Sequence, residues 1–350
     1  MVPVKLIVLA YIMAALILTA CSAEDTGPTR YQAGFLDTFD TFIQFIAYAE
    51  SQREFAQHYE LVRETFAHYH ALFDIYNDHD GVNNLKTVND NAGISPVVVD
   101  QAIIELLELS RQAYFDSRGS LDITLGPVLS IWHDHRMRGL ADPNGATVPP
   151  YPSLRAAREF GGISDLIIDA HASTVFLARP GMSLDVGATA KGFVAERVAD
   201  MLRERGVTSA IIDAGGDVAT IGGVGLTDAR PWSVGIRHPQ TGGIIDAVDV
   251  WDMAAVTSGG YHRAYVVGGV LYHHIIDPTT LMPADNFASI TIVHESPMVA
   301  EMLSTALLIL PLTEGLELAE DFDAAVVWVF HDGSVEFNEL YANISANFGD

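Results

Sequence analysis

The chain has 350 residues, 49% of them apolar, and a single cysteine, so it is long enough for a substantial core and no intramolecular disulfide shapes it. Nineteen Lys and Arg face 45 Asp and Glu, a formal net charge of −26. A field of that sign repels nucleic acid and anionic lipid surfaces, which excludes both as expected partners.

Lys5 precedes an apolar run from Leu6 to Leu18 that is too short for a stable membrane span, followed by Leu18-Thr19-Ala20-Cys21. This is the pattern of a signal peptide over residues 1–20. The tetrad resembles the lipobox of bacterial lipoproteins, in which the cysteine is acylated. Cys21 is therefore the expected lipidation site. Residues 21–34, small and polar, read as a lipidated tether, and residues 35–350 as one domain, extracytoplasmic and held to a bacterial membrane by lipid alone.

Residues 35–48 have strand character, and residues 50–73 carry an apolar stripe at helical spacing that includes Phe55, Tyr59, Val62, Phe66 and Tyr69. Residues 74–84 form a polar loop rich in turn formers, which is either a site or only a turn. A second helix is expected over 99–115, then a compact loop from Gly119 to Pro127. Residues 133–152, with four prolines, read as an irregular excursion. Short strands follow over 166–170, 174–177, 182–186, 210–213, 218–221, 232–237, 249–257, 264–267, 270–276, 288–293, 324–330 and 335–337. Hairpin signals stand at Gly259-Gly260 and Gly268-Gly269. Helices in front and hairpin-joined strands behind predict an α+β fold, with helices packed on a mixed or antiparallel sheet.

Three stretches carry chemistry. In Met182-Ser183-Leu184-Asp185-Val186-Gly187-Ala188-Thr189-Ala190-Lys191-Gly192, a strand, a small-residue turn and a helix start gather backbone N–H groups at one point. Lys191 is one of three lysines in the chain, and beside such a turn it suggests a phosphate. Asp185 repels that anion unless a hard metal stands between them. The same stretch also fits an ordinary strand–helix turn with a solvated Lys and a capping Asp. The second stretch is a helix capped by Ser296 and stopped by Pro311, apolar except for Glu301, Ser304 and Thr305. Glu301 and Thr305 share one face. A buried carboxylate and a hydroxyl suit Mg²⁺; alternatively Glu301 serves the helix dipole and Thr305 bonds back to its carbonyl. In the third, Tyr272-His273-His274-Ile275-Ile276-Asp277-Pro278, the two imidazoles point to opposite faces if the segment is a strand. One of them then serves as a general base, or both are hydrogen-bonded structure.

In order along the chain, Asn84-Leu85…Asn89, Gly119-Ser120-Leu121-Asp122-Ile123-Thr124-Leu125-Gly126-Pro127, Leu184-Asp185-Val186-Gly187-Ala188-Thr189-Ala190-Lys191-Gly192, Ala214-Gly215-Gly216-Asp217, Thr257-Ser258-Gly259-Gly260-Tyr261, His274-Ile275-Ile276-Asp277-Pro278 and Ala300-Glu301…Ser304-Thr305 resemble the ApbE family, the FAD:protein FMN transferases. The resemblance implies an α+β domain binding FAD with Mg²⁺ on its pyrophosphate. It makes Glu301, Thr305 and the Ala188 carbonyl the metal ligands. It sets Asp122, Asp185, Lys191 and the Ile275 backbone around FAD and Tyr76 near the flavin ring, and offers His274 as the base. The implied acceptor is a protein with a Ser/Thr-Gly-Ala-Thr motif, whose hydroxyl takes FMN while AMP leaves. Val186-Gly187-Ala188-Thr189 looks like that motif but lies inside the binding stretch, so it is not expected to be a self-acceptor. The family's usual Asp is Glu301 here, its Gly after Asp-Pro-x-Thr is Leu281, and its Asp after the Lys-Gly helix start is Glu196. A storage lipoprotein that holds FAD without transfer, and an Mg²⁺-dependent FAD pyrophosphatase, are the competing functions.

Overall fold

The computed structural model describes residues 28–225, 229–261 and 263–348. The expected signal peptide, Cys21 and the first part of the tether lie outside them. Eight strands form the frame: Thr29–Thr38, Thr41–Ala49, Ala210–Ala214, Val218–Ile221, Ala254–Gly259, Ser289–His294, Ala325–Val329 and Val335–Phe337. They lie side by side in that same chain order, and every neighbouring pair is antiparallel. The fold is α+β.

The central strands are buried on both faces, and their period of two divides the side chains between two cores. Ile290, Ile292, Val326 and Trp328 pack toward the helices. Val293, Ala325 and Val327 face the opposite way, onto Val248, Val250 and Trp232 of the hairpin Trp232–Arg237/Ile244–Val250. The helical layer comprises Gln52–Phe73, Gln101–Asp116, Ala190–Glu204 and Pro297–Ile309, and Phe66, Leu107, Val194 and Leu303 meet in its core.

Several sequence expectations are corrected. The sheet begins at Thr29, so residues 29–34 are strand rather than tether. The single strand expected over 35–48 is a hairpin, turning at Phe39 and Asp40, both with positive φ. The strand expected over 249–257 breaks at Asp252, φ 52°, whose carboxylate accepts the Gly222 N–H at 2.9 Å. Asp tolerates that left-handed backbone, so Val250 belongs to the outer hairpin and Ala254 to the main sheet. Gly259-Gly260 makes no hairpin, because Ala254–Gly259 pairs with Ser289–His294 instead. Gly268-Gly269 does make one, with φ +59° and +85°, the two positive values a tight turn of matching twist requires. The excursion over 133–152 is largely helical, Gly126–Ala141 and then Tyr151–Arg158. Pro127 and Pro152 start these helices rather than break them. Two further helices, Leu85–Asp90 and Leu312–Asp321, were not foreseen.

Residues 182–186 pair with no strand, contrary to expectation. Side chains and loop backbone hold them extended. Asn89 Oδ1 accepts the Leu184 N–H at 2.7 Å and its Nδ2 donates to the Leu184 carbonyl at 3.0 Å. The Asp185 N–H donates to the Ile123 carbonyl at 2.9 Å. One amide thus stands in for a ladder rung and aims the turn that follows. Asn89→Ala should cost about 1–3 kcal/mol, the usual range for stranding part-buried partners, seen as a lowered urea midpoint. An unchanged midpoint would show that Asn89 does not hold the segment.

Candidate functional site

Where the Met182–Gly192 turn, the Ala214–Asp217 turn and one face of the Pro297–Ile309 helix converge, the chain encloses a cavity of about 850 Å³. Tyr76, Asp122, Asp185, Ala188, Lys191, His274, Ile275, Glu301 and Thr305 all line it. All nine described residues singled out from the sequence therefore surround one space.

The floor is a buried charge cluster. Gly192, in the first turn of Ala190–Glu204, abuts the Pro297–Ile309 helix so closely that a Cβ there would lie 2.5 Å from the Pro297 carbonyl oxygen. The approach lets the Gly192 N–H donate to Glu301 Oε2 at 2.7 Å, while Lys191 Nζ binds Glu301 Oε1 and stands 3.2 Å from Asp217 Oδ2. The Glu301 side chain is 3% exposed and that of Asp217 13%. Burial pushes the Glu301 carboxyl above its ordinary range despite the pull of Lys191, and Asp217 adds to the push. For Lys191 burial disfavours the charge, but Glu301 and Asp217 outweigh it and its pKa is raised. Two carboxylates against one ammonium leave surplus negative charge. A unit charge 4 Å away feels about 4 kcal/mol at an effective dielectric near 20, so this corner favours a cation.

The expectation that Lys191 and the turn N–H groups stand ready for phosphate is corrected in part. The ammonium is paired with carboxylates, and the Gly192 N–H is already donating. Nor does Thr305 bond back to the Glu301 carbonyl; Ser304 does, at 2.8 Å, and its hydroxyl also lies 2.8 Å from Ser258 Oγ. Glu196 accepts the Ser296 hydroxyl and ties the same two helices.

The other predicted residues divide into held and open ones. Asp122 Oδ1 accepts from Thr124 N–H and Oγ1 at 2.8 and 2.6 Å, while its buried Oδ2 lies 3.0 Å from the Arg158 guanidinium without a hydrogen bond, so one oxygen is committed to the loop. Asp185 Oδ1 accepts the Gly187 N–H at 2.9 Å, and burial pushes its carboxyl up. Ile275 donates to His273 Nδ1 at 3.2 Å and accepts from the Ala284 N–H at 3.0 Å. His273 Nε2 in turn donates to the Ala284 carbonyl at 2.7 Å. His273 to Ile275 is therefore a bend and not a strand, and both imidazoles reach the cavity wall. His273 is structural. The buried Nδ1 of His274 makes no hydrogen bond to the protein, and burial together with Arg263, His273, Arg136 and Lys191 pushes its pKa down to about 3. Tyr76 is 55% exposed at the rim, its ring 5.2 Å from that of His133.

Sequence reasoning assigned no role to Arg136, Arg263 or Asp217, which also line the cavity. Arg136 Nη1 donates to the Arg263 carbonyl at 3.2 Å, and Arg263 reaches the Phe39 carbonyl at 3.1 Å. The first sits in the helix mistaken for an excursion. Asp217 had a signal, since it follows two glycines of positive φ in the turn that aims it. Leu281 has φ +61°, a left-handed backbone that strains a residue with a side chain; its carbonyl accepts from Trp132 Nε1 at 2.9 Å.

A sequence model of the ApbE family matches residues 39–328. The chain belongs to the ApbE family. It is 34% identical over 267 residues to the FAD:protein FMN transferase of Treponema pallidum, covering 72% of each chain. It is 30% identical over 266 residues to that of Klebsiella pneumoniae, covering 73% of this chain and 79% of the other. The crystal structure of the ApbE protein of Thermotoga maritima superposes with a TM-score of 0.79 at 26% identity, over 90% of this chain and 99% of that one. The flavin transferase ApbE of Vibrio cholerae, at 22% identity and a TM-score of 0.74, shares the fold.

Gly192→Ala gains about 1 kcal/mol of helix propensity, but the added methyl meets immovable backbone, and overpacking of that kind costs about 1–3 kcal/mol. A net loss of urea stability is expected, and a stabilised variant would show that the helices do not need this contact. His274 predicts a pH effect. Below its ordinary value of 6.5 the unfolded chain takes the proton while the folded ring refuses it down to about 3, so this residue makes stability fall as pH drops through that window. His274→Gln should flatten the acid limb of urea stability, and an unaltered slope would contradict the burial of the ring.

Proposed function

We propose that this ApbE-family chain transfers FMN from FAD to a Ser or Thr hydroxyl of an acceptor protein and releases AMP. The observation that carries the reading is that one cavity, of a size suited to a small-molecule ligand, holds both a neutral imidazole with an unbonded Nδ1 and a corner of surplus carboxylate. The names of the relatives support it.

A dinucleotide diphosphate approaching that corner is repelled by Glu301, Asp217 and Asp185. The donor set fits a hard divalent ion: Glu301 and Thr305, one helical turn apart, and the Ala188 carbonyl, on the same cavity lining, supply only oxygen. Glu301, Thr305 and the Ala188 carbonyl would hold Mg²⁺, which when bound neutralises charge on the diphosphate. Arg136 and Arg263, near enough to act on Asp185 and His274, bring positive charge to the same cavity. Tyr76, at the rim, offers a ring face to the flavin. The acceptor oxygen attacks the phosphorus nearest riboflavin, the bond from that phosphorus to the AMP oxygen breaks, and His274 takes the hydroxyl proton. Negative charge from the substrate sets off Arg263 and Arg136 and lifts the imidazole from its depressed value toward working pH.

The acceptor presents a Ser/Thr-Gly-Ala-Thr segment, outside the cytoplasm, where acylated Cys21 tethers the enzyme. Thr189 is not such an acceptor, being fully buried with its hydroxyl 2.9 Å from that of Ser110.

Incubation with FAD, Mg²⁺ and an acceptor, followed by intact mass measurement, should add one FMN to the acceptor. Free FMN and AMP would instead mean hydrolysis, and unchanged FAD would mean storage. Glu301→Gln should abolish Mg²⁺-dependent turnover. His274→Ala should keep FAD binding and lower transfer by about 10²–10⁴-fold, the usual worth of a general base; a full-rate variant would remove His274 from that role.

A further inference from the structure

We infer that His70, Asp74 and His79 form a second cation site, suited to a borderline transition metal such as Zn²⁺ and distinct from the all-oxygen corner at Glu301. One ring nitrogen from each histidine and one carboxylate oxygen lie within 4.8 Å of one another. Three ligands about 2.1 Å from a common ion stand up to about 4 Å apart, so small side-chain rotations close the set. Imidazole nitrogens favour Zn²⁺ and its neighbours over Mg²⁺.

The three residues are already posed. His70 lies in the last turn of Gln52–Phe73, and Asp74 caps that helix. Val82 donates to the His79 carbonyl at 3.0 Å across a turn in which Gly81 takes φ +76°. The Asp74 side chain is 2% exposed. Its Oδ1 accepts from the Tyr76 and Asn77 N–H groups at 2.7 and 3.1 Å, while Oδ2 accepts from Asn77 Nδ2 at 3.1 Å and faces His79 Nε2 at 3.0 Å. The His70 ring meets that of His79 edge-on with centroids 5.9 Å apart, and among the described residues its one polar partner is the Phe39 N–H, which approaches Nδ1 at a long 3.4 Å. An entering ion takes the place of the hydrogen between His79 Nε2 and Asp74, and the ring's hydrogen shifts to Nδ1. Tyr76 lies between Asp74 and His79 in the chain, so the ion fastens the loop that carries this ring.

The test is calorimetric titration of ZnCl₂ into the chelator-stripped full chain with Mg²⁺ in excess, which saturates oxygen-only sites. One Zn²⁺ should bind per chain, and Zn²⁺ should protect the Tyr76 loop from amide exchange. His70→Gln and His79→Gln, checked for folding by circular dichroism, should each weaken binding at least 10-fold. No saturable binding by the wild-type chain, or wild-type affinity in either folded variant, overturns the site. If a variant does not fold, exchange in the wild-type chain decides: a Tyr76 loop left unprotected by Zn²⁺ also overturns it.

Discussion

Everything at the site depends on one close approach, that of Gly192 to the Pro297–Ile309 helix. Burying a carboxylate such as Glu301 costs several kcal/mol unless partners meet it. The missing side chain at Gly192 is what lets a backbone N–H and the neighbouring Lys191 both reach it. Asp217, swung in by the glycine turn between two strands, then brings one carboxylate more than the single ammonium neutralises. The fold thus stores unbalanced negative charge where water has little access, and a cation relieves it.

The same logic distinguishes otherwise similar residues. His273 and His274 are neighbours, yet a bend gives one a full set of backbone partners and leaves the other with a bare Nδ1. Ser304 and Thr305 are neighbours too. Both line the cavity, but the Ser304 hydroxyl is engaged with Ser258 of the sheet and with the Glu301 carbonyl. In each pair the proposed role falls to the member that the scaffold does not need.

The sequence carried the site further than it carried the fold's details. Ser296, Pro297 and Pro311 bounded the greasy helix correctly because caps and prolines act locally. Strands 174–177, 218–221, 232–237 and 335–337 were legible in alternation and turn residues. The hairpin at Phe39 and the break at Asp252 were not, since non-glycine residues adopt positive φ there under tertiary pressure. Residues 182–186 looked like a strand because their alternation is real; it reflects burial against helices and an Asn89 clamp rather than a ladder. The pairing of Lys191 with Glu301, 110 positions apart, has no local signature, which is why a lone lysine read as a free phosphate ligand.

The most direct measurement is FAD affinity, followed by flavin fluorescence, with Mg²⁺ and with chelator. The proposed cation shared at Glu301 would make the two ligands bind cooperatively, with reciprocal coupling. FAD should bind at least 10-fold more tightly with Mg²⁺ in the wild-type chain, and Glu301→Gln should erase the difference. Equal affinity with Mg²⁺ and with chelator would contradict the buried-charge origin of this site.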